Sequence, residues 1–582
     1  MKERAFLLST LVDFPDDCKS IAFDEDLLTQ LMDRLQWMGV RRVYWNHYNA
    51  GMWKWFVDYG AASGTRQTLE NLGDPMLTGR RLAHERGMEF VAVIKPYETG
   101  VSHATPKATL EKAGLVGLPG IGGTYLVDPW ALTHPEMRVR ARKADVPVGM
   151  EKVPVTRIQL RQKDTTQIRI KPENLEIWTS DDNHGYQKRE VQFSLSEGTE
   201  TCPHDVVNME GELVTRQGDP VRVLNLTGLN LLDPFIAITT DFEDQDGTFC
   251  NAAAEIVRAY GPNDQPIPIV VASHKAVWRP QRDLRSDDLE YDGGLGNFVV
   301  CLDVTNEAAE FGNALNRSSD ARDGVIAFAR GRNAHLAGSL SEGYPEVQDF
   351  WLGWIGDCIA AGVDGVDIRI SCHSSWTDTP MIYGFNEPVL AEYRRRYGVD
   401  PSVEPYDPVL LADLRGDLYD QFLRAAKERL AAGGVSMHLH VEVESFRPGA
   451  SPSRTRTRPG NITFHWRRWL QTGLADETTL FGRAWMPERA FADAFVQDVL
   501  QETEIASVPA HLSAPVWLSQ GHGKALADQI EYAYSSGKVA GYTMYETAAM
   551  YDTKQVGADG RLQFFPGLTE EVHERAKRLG LL

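Results

Sequence analysis

Short apolar runs alternate with amphipathic stretches in two separate parts of the chain, and this rhythm narrows the fold more than any other feature of the sequence. In the first part, Ala5 to Val12 reads as a buried strand. Asp24 to Met38 reads as a helix with Leu27, Leu28, Leu31, Met32 and Leu35 at helical spacing. Asp24 suits its N-cap and Gly39 its end. Val40 to Tyr48 is the next strand, Asp74 to Arg86 the next helix, closed by Gly87, and Glu89 to Tyr97 the third strand. The rhythm resumes with a helix over Pro345 to Ala361, then a strand over Val363 to Ile370, a helix over Pro408 to Ala432 and a strand over Val435 to Glu444. It continues with a helix over Ile462 to Gln471, a strand over Asp476 to Leu480, a helix over Glu488 to Thr503 and a strand over Ala514 to Ser519. Lys524 to Ser535, Val539 to Glu546 and Glu570 to Leu579 supply the last helix, strand and closing helix. The count is that of an α/β fold, a closed (β/α)8 TIM barrel, and most strands are too apolar to leave a face in water. A doubly wound open sheet fits less well, because no Gly-x-Gly-x-x-Gly follows the first strand.

Between about residues 100 and 340 the alternation stops. From Val153 to Asp241 the segments TRIQLRQ, QIRIKP, LEIWTSDD, VQFSLSE, VRVLNL and FIAITT have period two and are separated by turn-forming clusters. They predict an antiparallel β-sandwich inserted between barrel strand 3 and helix 3. The expected organisation is a barrel catalytic domain over 1–100 and 300–582 and an inserted sandwich over 150–242. Segments 100–150 and 242–300 connect them. LEIWTSDDNHGYQKR resembles the strand and turn of carbohydrate-binding jelly rolls, although for so short a motif a purely structural sandwich is the favoured reading.

A chain of 582 residues exceeds what one core of about 250–300 residues supports, so at least two folding units are expected. A net charge of −21, with no long run of Lys or Arg, disfavours nucleic acid as a partner. The N-terminal apolar stretch leads into acids and reads as a first strand, not a signal peptide. No run of about 18 apolar residues offers a membrane span. Six cysteines without CxxC spacing give no zinc ribbon or disulfide framework. The expectation is a cytoplasmic protein, or a mature secreted form without its leader. No cofactor is expected, and self-association into a homo-oligomer is left open.

In such barrels the active residues come from the C-terminal strand ends and the loops that follow. Strand 3 ends in Lys95, Tyr97 and Glu98, and strand 4 in Asp367, Arg369 and His373, leading to Trp376, Asn386 and Glu387. On strand 5, alternation places His438, His440, Glu442 and Glu444 on one face, and on strand 8 it groups Tyr542, Met544 and Glu546. Glu387, Glu444 and Glu546 thus become the candidate catalytic carboxylates. Glycosidic cleavage needs such a pair, one to protonate the leaving oxygen and one to attack or to activate water. Asn386, Arg369, His373, Trp376, Lys95, Tyr97, His440 and Glu442 are the candidate substrate contacts. Trp45, Tyr48, Trp53, Trp55 and Trp485 add aromatic faces on which sugar rings stack. Asn-Glu-Pro also has a plain structural reading, as a helix entry with Asn386 as cap and Pro388 in the first turn.

GVDGVDIRISCHSSWTDTPMIYGFNEPVLAEYRRRYGVDP, with DPMLTGRRLAHERGMEFVAVIKPYE, resembles bacterial glycosyl-hydrolase-like barrel proteins, related to family-10-like glycoside hydrolases. The resemblance is loose and covers about 1–100 and 300–580. It implies a glycoside hydrolase acting on an oligo- or polysaccharide, with Glu387 as acid/base and Asn386 in support. Two departures stand out. Glu387 lies well into a loop instead of at a strand end, and the strand-7 region reads PVWLSQGHG where the clan has its nucleophile Glu. Glu546 or Glu444 would then replace that nucleophile, with Glu546 favoured because its strand adjoins strand 7.

Two rival readings remain. His438-Leu439-His440 with Glu442 suits a metal-dependent hydrolase, but HxH motifs of that kind belong on a first strand. A non-catalytic carbohydrate-binding protein on a degenerate barrel would explain the missing strand-7 carboxylate.

Overall fold

The structure is a computed structural model, and it describes residues 6–18, 21–46, 63–103, 117–120, 123–127, 129–146, 148–162, 164–167, 169–181, 187–207, 213–240, 257–271, 291–292, 298–299, 324–330, 334–370, 380–447, 460–482, 487–515 and 523–582. Eight parallel strands close into a barrel in chain order: β1 (Leu7–Val12), β2 (Arg42–Asn46), β3 (Glu89–Ile94), β4 (Gly365–Ile368), β5 (Ser436–Glu442), β6 (Glu477–Phe481), β7 (Ala510–Pro515) and β8 (Gly541–Tyr545). β8 pairs with β1, so the sheet has no edge. The outer helices are α1 (Glu25–Trp37), α2 (Pro75–Glu85), α3 (Pro345–Ala360), α4 (Pro408–Ala432), α5 (Trp466–Gln471), α6 (Ala494–Ala506), α7 (Gly523–Ser536) and α8 (Pro566–Arg578).

The helices begin where the sequence supplies a cap. Asp24 accepts from the Leu27 amide at 2.9 Å, Asp74 from those of Met76 and Leu77 at 3.0 and 3.1 Å, and Asp407 from that of Val409 at 2.8 Å. Each satisfies donors that the first helical turn leaves open. The expected helix over 488–503 is two helices, Pro487–Ala492 and Ala494–Ala506, because Asp493 caps the second one. Strand β7 lies at Ala510–Pro515, four residues before the expected Ala514 start. Its His511 and Ser513 alternate with Leu512 and Ala514, and the polar half of that alternation hid the strand from an apolar-run reading.

Packing fixes which strand face goes inward. Leu8, Val43, Phe90, Val366, Leu439, Leu480, Leu512 and Tyr542 share one hydrophobic cluster with helix residues such as Leu31, Trp351, Phe422 and Val496. Their strand neighbours therefore face the barrel lumen. Leu11, Tyr44, Val91 and Val93 form a small apolar cluster inside. The remainder of the lumen is polar and is described below.

Between β3 and α3 lie two five-stranded antiparallel sheets. One runs Gln187–Arg189, Leu175–Ser180, Phe235–Thr240, Gly324–Arg330, Ile269–Val271. The other runs Ser194–Thr201, Pro220–Leu231, Val155–Arg161, Val257–Tyr260, Pro266–Ile267. Ile158, Leu160, Leu224 and Leu226 of the second sheet share an apolar cluster with Ile177, Trp178, Ile236 and Phe328 of the first. The strands thus reach past residue 242 to Arg330, because Phe235–Thr240 needs Gly324–Arg330 as its neighbour. The segments entering and leaving the region meet again at the barrel: the Thr99 amide donates to Gly338 O at 2.9 Å, and Arg138–Arg140 pairs with His335–Leu340.

Candidate active site

The lumen holds two groups of charges at different heights. At the N-terminal ends of the strands, Arg42 donates from Nε to Glu89 at 2.7 Å and from Nη1 and Nη2 to Glu477 at 2.5 and 3.1 Å. His511 Nε2 lies 2.8 Å from Glu477, and Tyr44 OH lies 3.3 Å from His438 Nδ1. His438 Nε2 is 2.9 Å from Ser436 Oγ. Glycine makes room for these imidazoles. A Cβ on Gly541 would come within 2.6 Å of His511 Nδ1, and one on Gly365 within 3.1 Å of His438 Nε2. Charges at this end of such a barrel serve stability.

The second group sits at the C-terminal mouth. Asp367 Oδ2 accepts from Arg369 Nε at 2.8 Å and lies 3.4 Å from His440 Nδ1. Lys95 Nζ is 3.2 Å from Glu98 Oε2, and Asn46 donates to Asp13 at 2.8 Å. Phe481 and Tyr545 face each other with centroids 5.0 Å apart, and the Arg369 guanidinium carbon is 5.9 Å from the Tyr545 centroid. Glu442 ends β5 within this group and is buried, whereas Glu546, just past β8, is partly exposed. The Tyr545–Glu546 peptide is cis.

Burial and charge oppose each other here. Burial alone would raise the Asp367 carboxyl, but Arg369 and His440 outweigh it and hold the group well below the usual carboxylate range. Burial would lower Lys95, yet Glu98 and Asp13 keep it firmly charged. His440 is pushed down by burial and by Arg369, against the pull of Asp367 and Glu442. Burial raises the Tyr545 phenol, and Glu546 adds to that.

Of the residues singled out in the sequence, Lys95, Arg369, His440 and Glu442 meet in this mouth, with Glu546 at its edge. Asp13, Asn46, Glu98, Phe481 and Tyr545 complete it; apart from Glu98, none of them was on the expected list of strand-end residues. The signal for them was position, since each ends or directly follows an inward-facing strand register. Several expectations are corrected. Tyr542 and Met544 pack outward against helices, so the face that alternation groups with Glu546 is not the lumen face, and the strand ends at Tyr545, one residue before Glu546. The strand ends at Glu442 and Val443–Phe446 is helical, so the alternation that grouped Glu444 with His438, His440 and Glu442 stops before it, and the Glu444 side chain is outside what the structure describes. Tyr97 points away from the lumen, packing edge-on against Trp351 and donating to Glu342 at 3.2 Å. Trp45 is core, against Phe14 and Phe90. Asn386 is fully buried, accepting from the Arg140 amide at 2.9 Å and donating to Arg138 O at 2.7 Å, so it ties loops together.

Glu387 opens the helix Glu387–Tyr397, where its carboxylate, 62% exposed, pairs with Arg394 of the same helix. An acid in a first helical turn is favoured by the helix dipole, which is a sufficient reason for it. His373, Trp376, Tyr48, Trp53, Trp55 and Trp485 lie outside the described residues.

The HxH pair does not form a ligand set. Both ring nitrogens of His438 are engaged, with Tyr44 and Ser436, and His440 belongs to the mouth group with Asp367. Asp417, Asp420 and His465 have ligand-like spacing on the outer helices, but Asp420 already accepts from Trp469 at 2.6 Å, Arg468 at 2.9 Å and His465 at 3.1 Å. Three of the roughly four acceptor sites of that carboxylate thus already face protein donors.

No family model and no curated protein matches the sequence. Among solved structures, the chain is similar to the PgaB (BpsB) glycoside hydrolase domain from Bordetella bronchiseptica, with 11% identity over 37% of this chain and 60% of that one and a TM-score of 0.25. It is similar to an endo-beta-1,4-mannanase from Thermotoga petrophila at 12% identity, over 40% of this chain and 62% of that one, with a TM-score of 0.22. In both cases the match spans less than two thirds of the other protein. The alpha-glucosyl transfer enzyme XgtA matches at 10% identity over 94% of this chain and 67% of that one, with a TM-score of 0.33. These likenesses assign no activity to the chain.

Proposed function

We propose that the chain is a glycoside hydrolase acting on an oligo- or polysaccharide at the C-terminal mouth of its barrel, with Glu442 and Glu546 as the carboxyl pair. The observation that carries this reading is the gathering of carboxyl groups, two cations and a facing aromatic pair at strand ends on one side of the lumen. One carboxyl protonates the departing oxygen while the other attacks the anomeric carbon or activates water. Arg369 and Lys95 supply donors for sugar hydroxyls, Asp367 holds Arg369 and His440 in place, and the Phe481–Tyr545 pair offers apolar faces. The two antiparallel sheets form one inserted β-sandwich.

Glu442→Gln and Glu546→Gln each lower kcat on a susceptible glycoside by about 10²–10⁴-fold, the range for losing a positioned acid or base. Azide restores turnover to the Ala variant of whichever residue is the nucleophile. Full activity in both Gln variants would overturn the assignment.

A further inference from the structure

On the lumen side of β7, β8 and β1 stand three hydroxyls in one row. Thr543 is in register with Ser9 on one neighbouring strand and with Ser513 on the other. All three side chains face inward, because Leu8, Leu512, Tyr542 and Met544 between them pack outward against the helices. Ser9 and Ser513 are 0% exposed and Thr543 is 1% exposed, and the hydroxyl oxygen of each lacks a protein hydrogen-bond partner. Buried polar atoms are otherwise nearly always paired, and three neighbours without partners call for one explanation.

Spacing supplies it. The backbones of neighbouring strands lie about 4.8 Å apart, and in this packing the three hydroxyls do not bond one another. One water, bonded at about 2.8 Å to each, spans that gap. Ser9 and Ser513 are small, and the inward position preceding Thr543 on β8 is Gly541, whose missing side chain lets the His511 imidazole come close. Next to Gly541 stands His511, whose Nδ1 is likewise buried without a partner and whose Nε2 reaches Glu477.

We propose that Ser9, Thr543, Ser513 and His511 Nδ1 form an internal water site, in which bridging waters extend the Arg42–Glu477–His511 network along the lumen. A polar site of this kind, with a partner for every water, is where buried water is retained. The site is independent of the chemistry proposed for the mouth.

Thr543→Val in the full chain is the test, because it keeps the shape and removes only the hydroxyl. If waters bond that hydroxyl, the variant strands one of them and Tm falls by about 1–3 °C. If the row is dry, removing an unpaired polar atom raises Tm or leaves it unchanged, which overturns the inference. A crystal structure of the unaltered chain at about 1.5 Å is the second reading. Water density within hydrogen-bond reach of Thr543 Oγ1 and of Ser9 or Ser513 Oγ supports the site, and its absence overturns it whatever the melting shift.

Discussion

Asp367 and Arg369, two residues apart at the end of β4, form an ion pair with 2.8 Å between Oδ2 and Nε, and both side chains are almost wholly shielded from water. Because they sit at i and i+2, both side chains emerge on the lumen face, so the strand itself delivers the pair to the mouth. The same carboxylate faces His440 across the β4–β5 step, which makes it the hinge of the mouth's polar arrangement.

Removing one partner should therefore cost more than a surface pair would. Arg369→Leu leaves the buried Asp367 carboxylate without its guanidinium partner and destabilises the protein by about 3–5 kcal/mol, read by urea unfolding. The double variant Asp367→Asn with Arg369→Leu recovers much of that loss.

Acidification should weaken the fold in two stages. Burial lowers the His438 pKa to about 4, against about 6.5 in an unfolded chain. Between those values the unfolded state takes up a proton that the folded state refuses, so stability declines as pH falls, by about 3 kcal/mol in all. His440 and His335 act in the same direction, so His438→Gln lessens the slope of unfolding free energy between pH 6.5 and 4 without abolishing it. Asp367 and Glu477, both depressed in the fold, contribute stability above about pH 4 that is lost below it.

Two glycines should respond very differently to alanine. A Cβ on Gly541 would lie 2.3 Å from the Leu7 carbonyl oxygen, so Gly541→Ala must push β8 away from β1. Gly73 has φ +68° and open space around it, so Gly73→Ala costs only about 1 kcal/mol of backbone strain. Thermal melting of the two variants side by side checks this, with the larger drop expected at Gly541.

Glu387→Gln separates the two readings of the Asn-Glu-Pro segment. The exposed pair with Arg394 adds little to stability, so the variant stays folded and, on the proposed function, keeps the turnover of the unaltered chain. A loss of turnover comparable to that of Glu546→Gln would return the acid/base role to Glu387.

Much of the barrel was legible because each βα unit carries its own signals. Asp24, Asp74 and Asp407 mark helix starts within a few residues of the groups they cap, and the inward face of β5 followed from alternation alone. The site was less legible wherever it depended on closure. Asn386-Glu387-Pro388 carries the local pattern of a helix entry, and the helix formed there. Alternation groups Glu546 with Tyr542 and Met544, but that face packs outward and the strand ends at Tyr545, so alternation gives no lumen position for Glu546. Tyr542 in fact points outward and donates to Gln529 at 2.8 Å.

The sequence by itself determined the parallel strands, their order, the capped helices and the interruption by antiparallel strands, since periodicity and capping act over a few residues. Only the tertiary structure decided which charges meet. Asp13, Lys95, Asp367, His440 and Glu442 come from four strands and the ends that follow them, and closing the barrel brings them within reach of one another. Once water is excluded from that lumen, each charge needs a partner, and the pairings among them follow from distance, which no local pattern encodes.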